Sequence, residues 1–153
     1  MTAEGLDALV AAHAFFAGLA PADIALLAGC AATVHVHAGD VLFRAGDPAD
    51  SFSIVRAGRI ALEKHAPGRD VVRIATASAP DVLGWAWLVP PYRWRVEGRA
   101  VESTHALQFD GACLRRKCDA DPRLGYTLMQ RFAHELAAEA DHLRLQLMDV
   151  YEH

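Results

Sequence analysis

Long apolar runs are missing from this sequence of 153 residues. The longest, around Ala8–Ala20, is interrupted by His13 and Gly18, so it is too short to cross a hydrocarbon layer of about 30 Å. The first residues, Met1–Gly5, also lack the basic segment and continuous apolar core of a secretory signal. No contact with a membrane is therefore expected, and the length favours one domain.

Cysteine is scarce, and basic charge is not in excess. Cys30, Cys113 and Cys118 are odd in number, and none forms a Cys-x-x-Cys pair or another zinc-type spacing. This pattern predicts partly buried, reduced thiols and a cytoplasmic location. Lysine and arginine total 15 against 19 acidic residues, a net charge of −4. The chain as a whole therefore lacks the basic footprint of a DNA-binding domain.

Signatures of catalysis are also absent: the sequence has no nucleophile elbow, no Walker loop and no paired carboxylates. An enzyme is not expected. His35 and His37 stand two apart on a predicted strand, so their side chains face one side. They could share a metal with Glu63 or His65 of a neighbouring strand, as in a metal-dependent β-helix enzyme. A solvated strand face is the preferred interpretation.

Hydrophobic periodicity divides the chain into a helical start and a β-rich middle. Apolar residues recur at helical spacing from Leu6 to Ala17, before Gly18, and again in a short helix over Ile24–Ala28. From Ala31 the period becomes two. About eight short strands follow, separated by turns that contain glycine or proline. This spacing is typical of a sandwich, a barrel or a jelly roll.

Helical signals return at the C-terminal end. Asp110 can cap a short helix over Gly111–Lys117, and Asp121 followed by Pro122 predicts the start of a long one. Apolar residues of this long helix alternate steps of four and three, as in a coiled-coil seam. The seam comprises Met129, Ala133, Leu136, Ala140, Leu143, Leu147 and Val150. We predict that it forms a homodimer; packing only on the chain's own β domain is the other interpretation.

An ordered series of glycines marks the turns between the predicted strands: Gly39, Gly46, Gly58 and Gly84. The stretch from Ala38 to Ile60, with Phe15-Phe-Ala-Gly-Leu before it, resembles the cyclic nucleotide-binding domain of catabolite activator (Crp/Fnr) type regulators. The resemblance implies a mainly β fold with flanking helices. The centre of this fold would be a double-stranded β-helix, or jelly roll, and a long C-terminal helix would mediate dimerisation.

The same resemblance implies the organisation of the chain. Residues 1–153 would form one domain with N-terminal helices over 6–30, a β-roll over 31–109 and C-terminal helices over 110–153. DNA-binding members of the family carry a helix-turn-helix module after the long helix. This sequence leaves no residues for one, so direct DNA binding is not expected.

In that family the ligand phosphate is bound by a phosphate-binding cassette, which here corresponds to residues 82–100. Main-chain N–H groups from about Trp85 to Leu88, at the start of a short helix, would receive the anion. The predicted ligand-binding residues are Gly84, Trp85, Ala86, Trp87, Arg93, Trp94 and Arg95. No resident cofactor is implied, and the ligand would be a small anion such as cyclic AMP.

Two positions depart from the family pattern. Trp85 follows the cassette glycine, where nucleotide-binding members carry a glutamate for the ribose 2′-hydroxyl. Trp94 stands at the place of the phosphate-binding arginine, although Arg93 or Arg95 could take that role.

Two functions are therefore open. In the first, the tryptophans and Tyr92 stack on a planar ligand, and the chain is a stand-alone sensor that signals through its C-terminal helix. In the second, the aromatic side chains fill the pocket, and the chain is a ligand-free interaction module for an unidentified protein.

Overall fold

The computed structural model describes residues 3–68 and 70–152, with helices in the first and last parts of the chain and a β-sandwich between them in sequence. The helices are α1 (Ala3–Ala12), a 3-10 helix (Ala14–Phe16), α2 (Pro21–Ala28), α3 (Gly111–Ala120) and α4 (Pro122–Glu152). The strands are β1 (Ala31–Val36), β2 (Val41–Phe43), β3 (Ser51–Ala57), β4 (Arg59–His65), β5 (Val71–Ser78), β6 (Val82–Leu83), β7 (Glu97–Ala100) and β8 (Thr104–Asp110).

The eight strands form two antiparallel sheets of four. The first, called sheet I below, has the order β1-β8-β3-β6, and the second, sheet II, has the order β2-β7-β4-β5. Neighbours in a sheet are mostly distant in sequence, which is the arrangement of a jelly roll. The predicted fold class and number of strands are confirmed, although the two sheets do not close into a complete barrel.

The N-terminal helix ends earlier than its apolar period predicts. The ring Nδ1 of His13 accepts a hydrogen bond from the Phe15 N–H at 3.0 Å. The side chain thus caps a new 3-10 helix after α1 has stopped at Ala12. This local competition between side chain and main chain is typical of helix termini. It turns Phe15 and Phe16 toward the sandwich, where both are buried.

An aromatic core joins these helices to the outer face of sheet I. Phe52 of β3 and Phe109 of β8 stand opposite each other in register, and their rings stack at 4.5 Å. Phe16 packs 5.4 Å from Phe109, and Phe15 packs 6.2 Å from Phe52. Both sheet residues are fully buried. The N-terminal helices therefore cover sheet I and secure it.

A second, aliphatic core lies between the two sheets. Val55 and Leu83 from sheet I meet Ile60, Ala77 and Ala100 from sheet II, and all five are buried. The turn between β3 and β4 depends on Gly58, whose φ is +92°. A Cβ there would collide with the Ser103 carbonyl oxygen and with Thr104. Glycine is thus required on two grounds, its dihedral angle and the close approach of another segment.

The chain divides into two compact units, one up to residue 116 and one from residue 117. In the second unit α4 begins as predicted, because Asp121 Oδ1 accepts from the Leu124 N–H at 3.4 Å and Pro122 occupies the first turn. Asp110 caps α3 in the same way through the Cys113 N–H at 3.1 Å. No helix of residues 3–68 and 70–152 is long and apolar enough to span a membrane.

One prediction about the cysteines is wrong. Cys30 and Cys113 form a disulfide, with their Cα atoms 5.7 Å apart. Only Cys118 of the three is a free thiol. The number and spacing of the three cysteines led to the wrong prediction because they do not show which cysteines the fold brings together. Here the Asp110 N–H bonds to the Cys30 carbonyl at 2.9 Å, which places the start of α3 beside the start of β1.

Candidate functional site

The cassette is a series of turns rather than the short helix that was expected. The N–H of Leu88 donates to the carbonyl of Trp85 at 3.0 Å, and that of Val89 to Ala86 at 3.3 Å. Within the described part of the chain, no hydrogen bond uses the N–H groups of Trp85 and Ala86. Two of the predicted anion-binding amides are therefore free of internal bonds.

Gly84 has the backbone geometry that the cassette needs. Its φ is +99°, in the left-handed region that favours glycine. A Cβ built on it would stand 2.6 Å from Cη2 of Trp94 and 3.4 Å from the Ser51 carbonyl oxygen. The space directly in front of this glycine is therefore occupied by an indole of the same chain.

Hydrogen bonds from both directions fix Trp94 in that place. Its N–H donates to the Asp47 carbonyl at 2.9 Å, and its carbonyl accepts from the Gly46 N–H at 2.8 Å. Two residues earlier, the Tyr92 carbonyl accepts from the Ala49 N–H at 2.7 Å. The end of the cassette thus pairs with the turn between β2 and β3, and the side chain of Trp94 is buried.

Trp94 and Phe43 of β2 form an aromatic stack held between two glycines. Their rings are parallel within 7°, with centroids 3.7 Å apart. On the far side of Phe43, a Cβ built on Gly98 of β7 would collide with the phenyl ring. The order Gly98, Phe43, Trp94, Gly84 fills the space between the sheets at the cassette, and Ala49 and Ala86 complete the cluster. We call this arrangement the aromatic plug.

The remaining two tryptophans differ in position: Trp87 lies apart from the plug, and Trp85 packs against it. Trp87 is fully buried and faces the aromatic core, with its ring 5.6 Å from Phe52. Its carbonyl accepts from Nη1 of Arg115 at 2.6 Å. Trp87 was predicted as a ligand-binding residue, and the structure instead gives its ring a place in the core. Trp85 is half-buried at the edge of the plug cluster.

Neither predicted arginine points at the N–H groups of the cassette. Arg93 Nη1 donates to the Gly46 carbonyl at 2.8 Å. The guanidinium of Arg95 lies over the ring of Trp85 at 4.9 Å, a cation–π contact. Both side chains are exposed at the surface of the loop. The structure therefore brings Gly84, Trp85, Ala86, Trp94 and Arg95 together and separates Trp87 and Arg93 from them.

A charged network on sheet II was missed by the sequence analysis. At its centre is Glu97 of β7, whose side chain is only 6% exposed. It pairs with Arg44 at 3.0 Å, with Arg99 at 3.2 Å and with His65 at 3.5 Å. Glu63 also pairs with Arg99, at 3.3 Å. The alternation of Glu97 and Arg99 on one strand was the available signal, since it places both on the same face.

The network sets the protonation of Glu97. Burial by itself raises the pKa of this carboxyl group, but the hydrogen bond from His65 and the charge and hydrogen bond of Arg99 outweigh it. The net result is a pKa below the ordinary glutamate value. Glu97 therefore holds its negative charge among these bases more readily than a free glutamate would.

The histidine pair of β1 has a different neighbour from those expected. Glu63 and His65 belong to sheet II, whereas His35 stacks on His105 of β8 at 4.3 Å and lies 4.7 Å from His37. Desolvation, and then the charges of His105 and His37, lower the pKa of His35. Among the residues that the structure describes, no group of three or more His, Cys, Asp or Glu could hold a metal ion. This arrangement fits an exposed strand face.

Comparison with known proteins identifies the family of this fold. The model of the cyclic nucleotide-binding domain matches residues 33–121, more than half of the chain. The chain belongs to the cyclic nucleotide-binding domain family. The match spans the cassette, the plug and the end of α3, so the predicted resemblance is confirmed. No curated protein matches the chain.

Solved structures of this cyclic nucleotide-binding fold are similar at low sequence identity. A cyclic nucleotide-binding protein from Geobacter metallireducens is 22% identical with a TM-score of 0.77, over 90% of this chain and 97% of that one. A cyclic nucleotide-binding domain from Methylobacillus flagellatus has 17% identity and a TM-score of 0.79, covering 95% and 82%. The catabolite activator protein of Thermus thermophilus has 24% identity and a TM-score of 0.68, over 88% of this chain and 62% of that one. These likenesses support the fold alone.

Proposed function

We propose that this cyclic nucleotide-binding domain is a regulatory module without enzymatic activity that keeps its cassette closed with the aromatic plug. It would act through contacts with protein rather than through a bound cyclic nucleotide. The observation that carries the proposal is the position of Trp94, whose ring lies in the space in front of Gly84 and stacks on Phe43.

The chemistry of the plug argues against a cyclic nucleotide. A buried phosphate needs a charge-assisted partner, and a ribose hydroxyl needs an acceptor. The cassette instead presents two indoles, those of Trp85 and Trp94. A nucleotide would also have to displace a parallel aromatic contact and expose the apolar side chains around it. The lack of polar partners and the cost of displacing the stack both oppose binding of a cyclic nucleotide.

The plug gives a gain-of-function test. We expect the wild-type chain to release no heat when titrated with cyclic AMP or cyclic GMP in a calorimeter. The double variant Trp85→Glu with Trp94→Arg restores the family residues and opens the space, so it should bind one of them. Trp94→Phe, which keeps an aromatic ring beside Phe43, is the matched control and should stay silent. Cyclic-nucleotide binding by the wild-type chain would overturn the proposal.

A second candidate function, sensing of another small anion, is favoured by one observation. The N–H groups of Trp85 and Ala86 have no internal acceptor within the described part of the chain, and the guanidinium of Arg95 lies over the ring of Trp85 at 4.9 Å. An anion that approaches from the side of Trp85 would not need to displace Trp94. Titration with a panel of phosphorylated metabolites decides between the two functions. Heat that is lost in Arg95→Gln but kept in Arg93→Gln would support sensing.

We propose that the module forms a homodimer through α4. Of the predicted seam, Met129, Leu143, Leu147 and Val150 are exposed in the single chain, with Leu147 at 57%. Apolar residues on a helical seam are covered well by a second identical helix. Leu147→Glu should therefore produce a monomer in analytical ultracentrifugation. Leu145→Glu, equally exposed at 61% but off the seam, should leave the dimer intact.

The proposal also includes a cytoplasmic location and no direct binding to DNA. The Cys30–Cys113 disulfide counts against the first of these, since such bonds are rare in reducing compartments. Trapping of free thiols in intact cells, followed by electrophoresis without reductant, would measure the state of Cys30 and Cys113. A fully oxidised pair would contradict a reducing cytoplasm.

A further inference from the structure

A cavity of about 250 Å³ lies between α1 and the outer face of sheet I. Its floor is formed by Ile54 and Leu107, which are at most 2% exposed, and Val55, whose side chain packs between the sheets, also borders it. Leu9 of α1 forms a wall, and the smaller residues Ala12, Ala79 and Pro80 surround the mouth. The cavity shares no lining residue with the cassette, so a ligand bound there would be independent of the proposed function.

Hydrogen bonds of His13 hold one wall of the cavity in place. Its Nδ1 accepts from the Phe15 N–H, so the neutral ring carries its proton on Nε2 and donates to the Pro80 carbonyl at 2.7 Å. This hydrogen bond connects the end of α1 to the segment that follows β5. Because both ring nitrogens are engaged, His13 shapes the cavity and offers nothing to a ligand.

One charged side chain, that of Arg56, lines the cavity. Arg56 stands at the exposed end of β3, beyond the buried Ile54. Among the described residues its guanidinium has no hydrogen-bond or ion-pair partner, and no acidic residue lines the space. An apolar chamber with a single cation at its mouth is complementary to an amphipathic anion.

The size of the chamber limits the ligand further. At about 30 Å³ for each water-sized group, 250 Å³ holds about eight non-hydrogen atoms. We propose that this cavity binds a short aliphatic monocarboxylate of about that size, with its chain against Ile54 and Leu107 and its carboxylate at Arg56. The far end of a longer acyl chain would extend out of the cavity and stay in water, and a short phosphate ester would leave the apolar floor uncovered.

The test is a titration of the isotope-labelled full chain with hexanoate, followed by amide NMR. We expect saturable shifts at Leu9, Ile54 and Leu107, and much smaller ones with hexanol, which has the same chain without the charge. Arg56→Gln should weaken hexanoate binding about tenfold, as expected when a charge-assisted hydrogen bond is lost. Arg73→Gln, an exposed arginine of β5, is the matched control and should change nothing.

A blocking variant gives the second arm. Ala12→Phe places a large side chain at the mouth and should abolish the shifts, whereas Ala11→Phe on the same helix, outside the lining, should not. The proposal is overturned if hexanoate gives no saturable shift up to its solubility limit, or if hexanol binds as tightly. Shifts confined to the exposed apolar residues of α4 would also overturn it.

Discussion

The outer faces of the two sheets are stabilised by different means. Sheet I covers its face with phenylalanine rings from the N-terminal helices, and a disulfide fixes its edge beside α3. Sheet II covers its face with its own ion pairs around Glu97, while Val71, Val72 and Ile74 of β5 stay exposed. Burial of large apolar rings contributes more than ion pairs whose basic partners, Arg44 and Arg99, are exposed. We therefore expect sheet I to carry most of the stability.

The largest expected effect comes from the disulfide. Cys30 and Cys113 close a loop with a sequence separation of 83, and a loop of this length stabilises by about 4–5 kcal/mol in the chain-entropy model. Reduction should lower the free energy of unfolding in urea by that order. The paired variant Cys30→Ser with Cys113→Ser should show the same loss, whereas Cys118→Ser should keep the response to reductant. Equal stability with and without reductant would contradict the linkage.

A second contrast compares one residue from each face. Phe52→Ala removes a fully buried ring that contacts Phe15, Phe109 and Trp87, and it should cost about 3–5 kcal/mol in denaturant titration. Ile74→Ala on β5 removes a side chain that is already 45% exposed. Its cost should be well below that of Phe52→Ala. Similar costs would mean that sheet II is as important to stability as sheet I.

A smaller effect than those of the disulfide and Phe52 is expected for Glu97, and it depends on pH. Because its folded pKa lies below its unfolded value of about 4.5, the carboxylate stabilises the fold above that pH and loses this contribution as the pH falls. Glu97→Gln should cost about 1.5–3 kcal/mol at neutral pH, as for a hydrogen bond to a charged group. The cost should shrink toward pH 3 in chemical unfolding.

Glu102→Gln is the matched control, since Glu102 pairs with Arg59 but its side chain is 48% exposed. A loss of at most about 1 kcal/mol is expected there. If the cost of Glu97→Gln were the same at pH 7 and pH 3, the charge of the carboxylate could not be its cause.

The fold could be predicted from the sequence because its signals are local and repeated. The change of period at Ala31 and the caps at Asp110 and Asp121 each reflect the backbone within a few residues. The glycines at the turns do the same, and Gly39, Gly46, Gly58 and Gly84 all have positive φ. Such signals survive without knowledge of tertiary contacts.

The site could be predicted only in part, because the decisive contacts join distant segments. The stack of Phe43 on Trp94 and the pairing of Cys30 with Cys113 have no signal in the spacing of those residues. The sequence around the tryptophans likewise does not show that Trp87 packs in the aromatic core whereas Trp94 packs in the plug. In α4, Leu124, Leu128 and Phe132 are buried although they lie outside the predicted seam.

The aromatic plug has a mechanical consequence. Gly84 follows β6 of sheet I, and Gly98 belongs to β7 of sheet II, so the two rings between them act as a strut from one layer of the sandwich to the other. Any molecule that displaced the Trp94 indole would itself have to fill the space between the two sheets to keep them at the same distance. We therefore expect occupancy of the cassette and the spacing of the two sheets to be coupled.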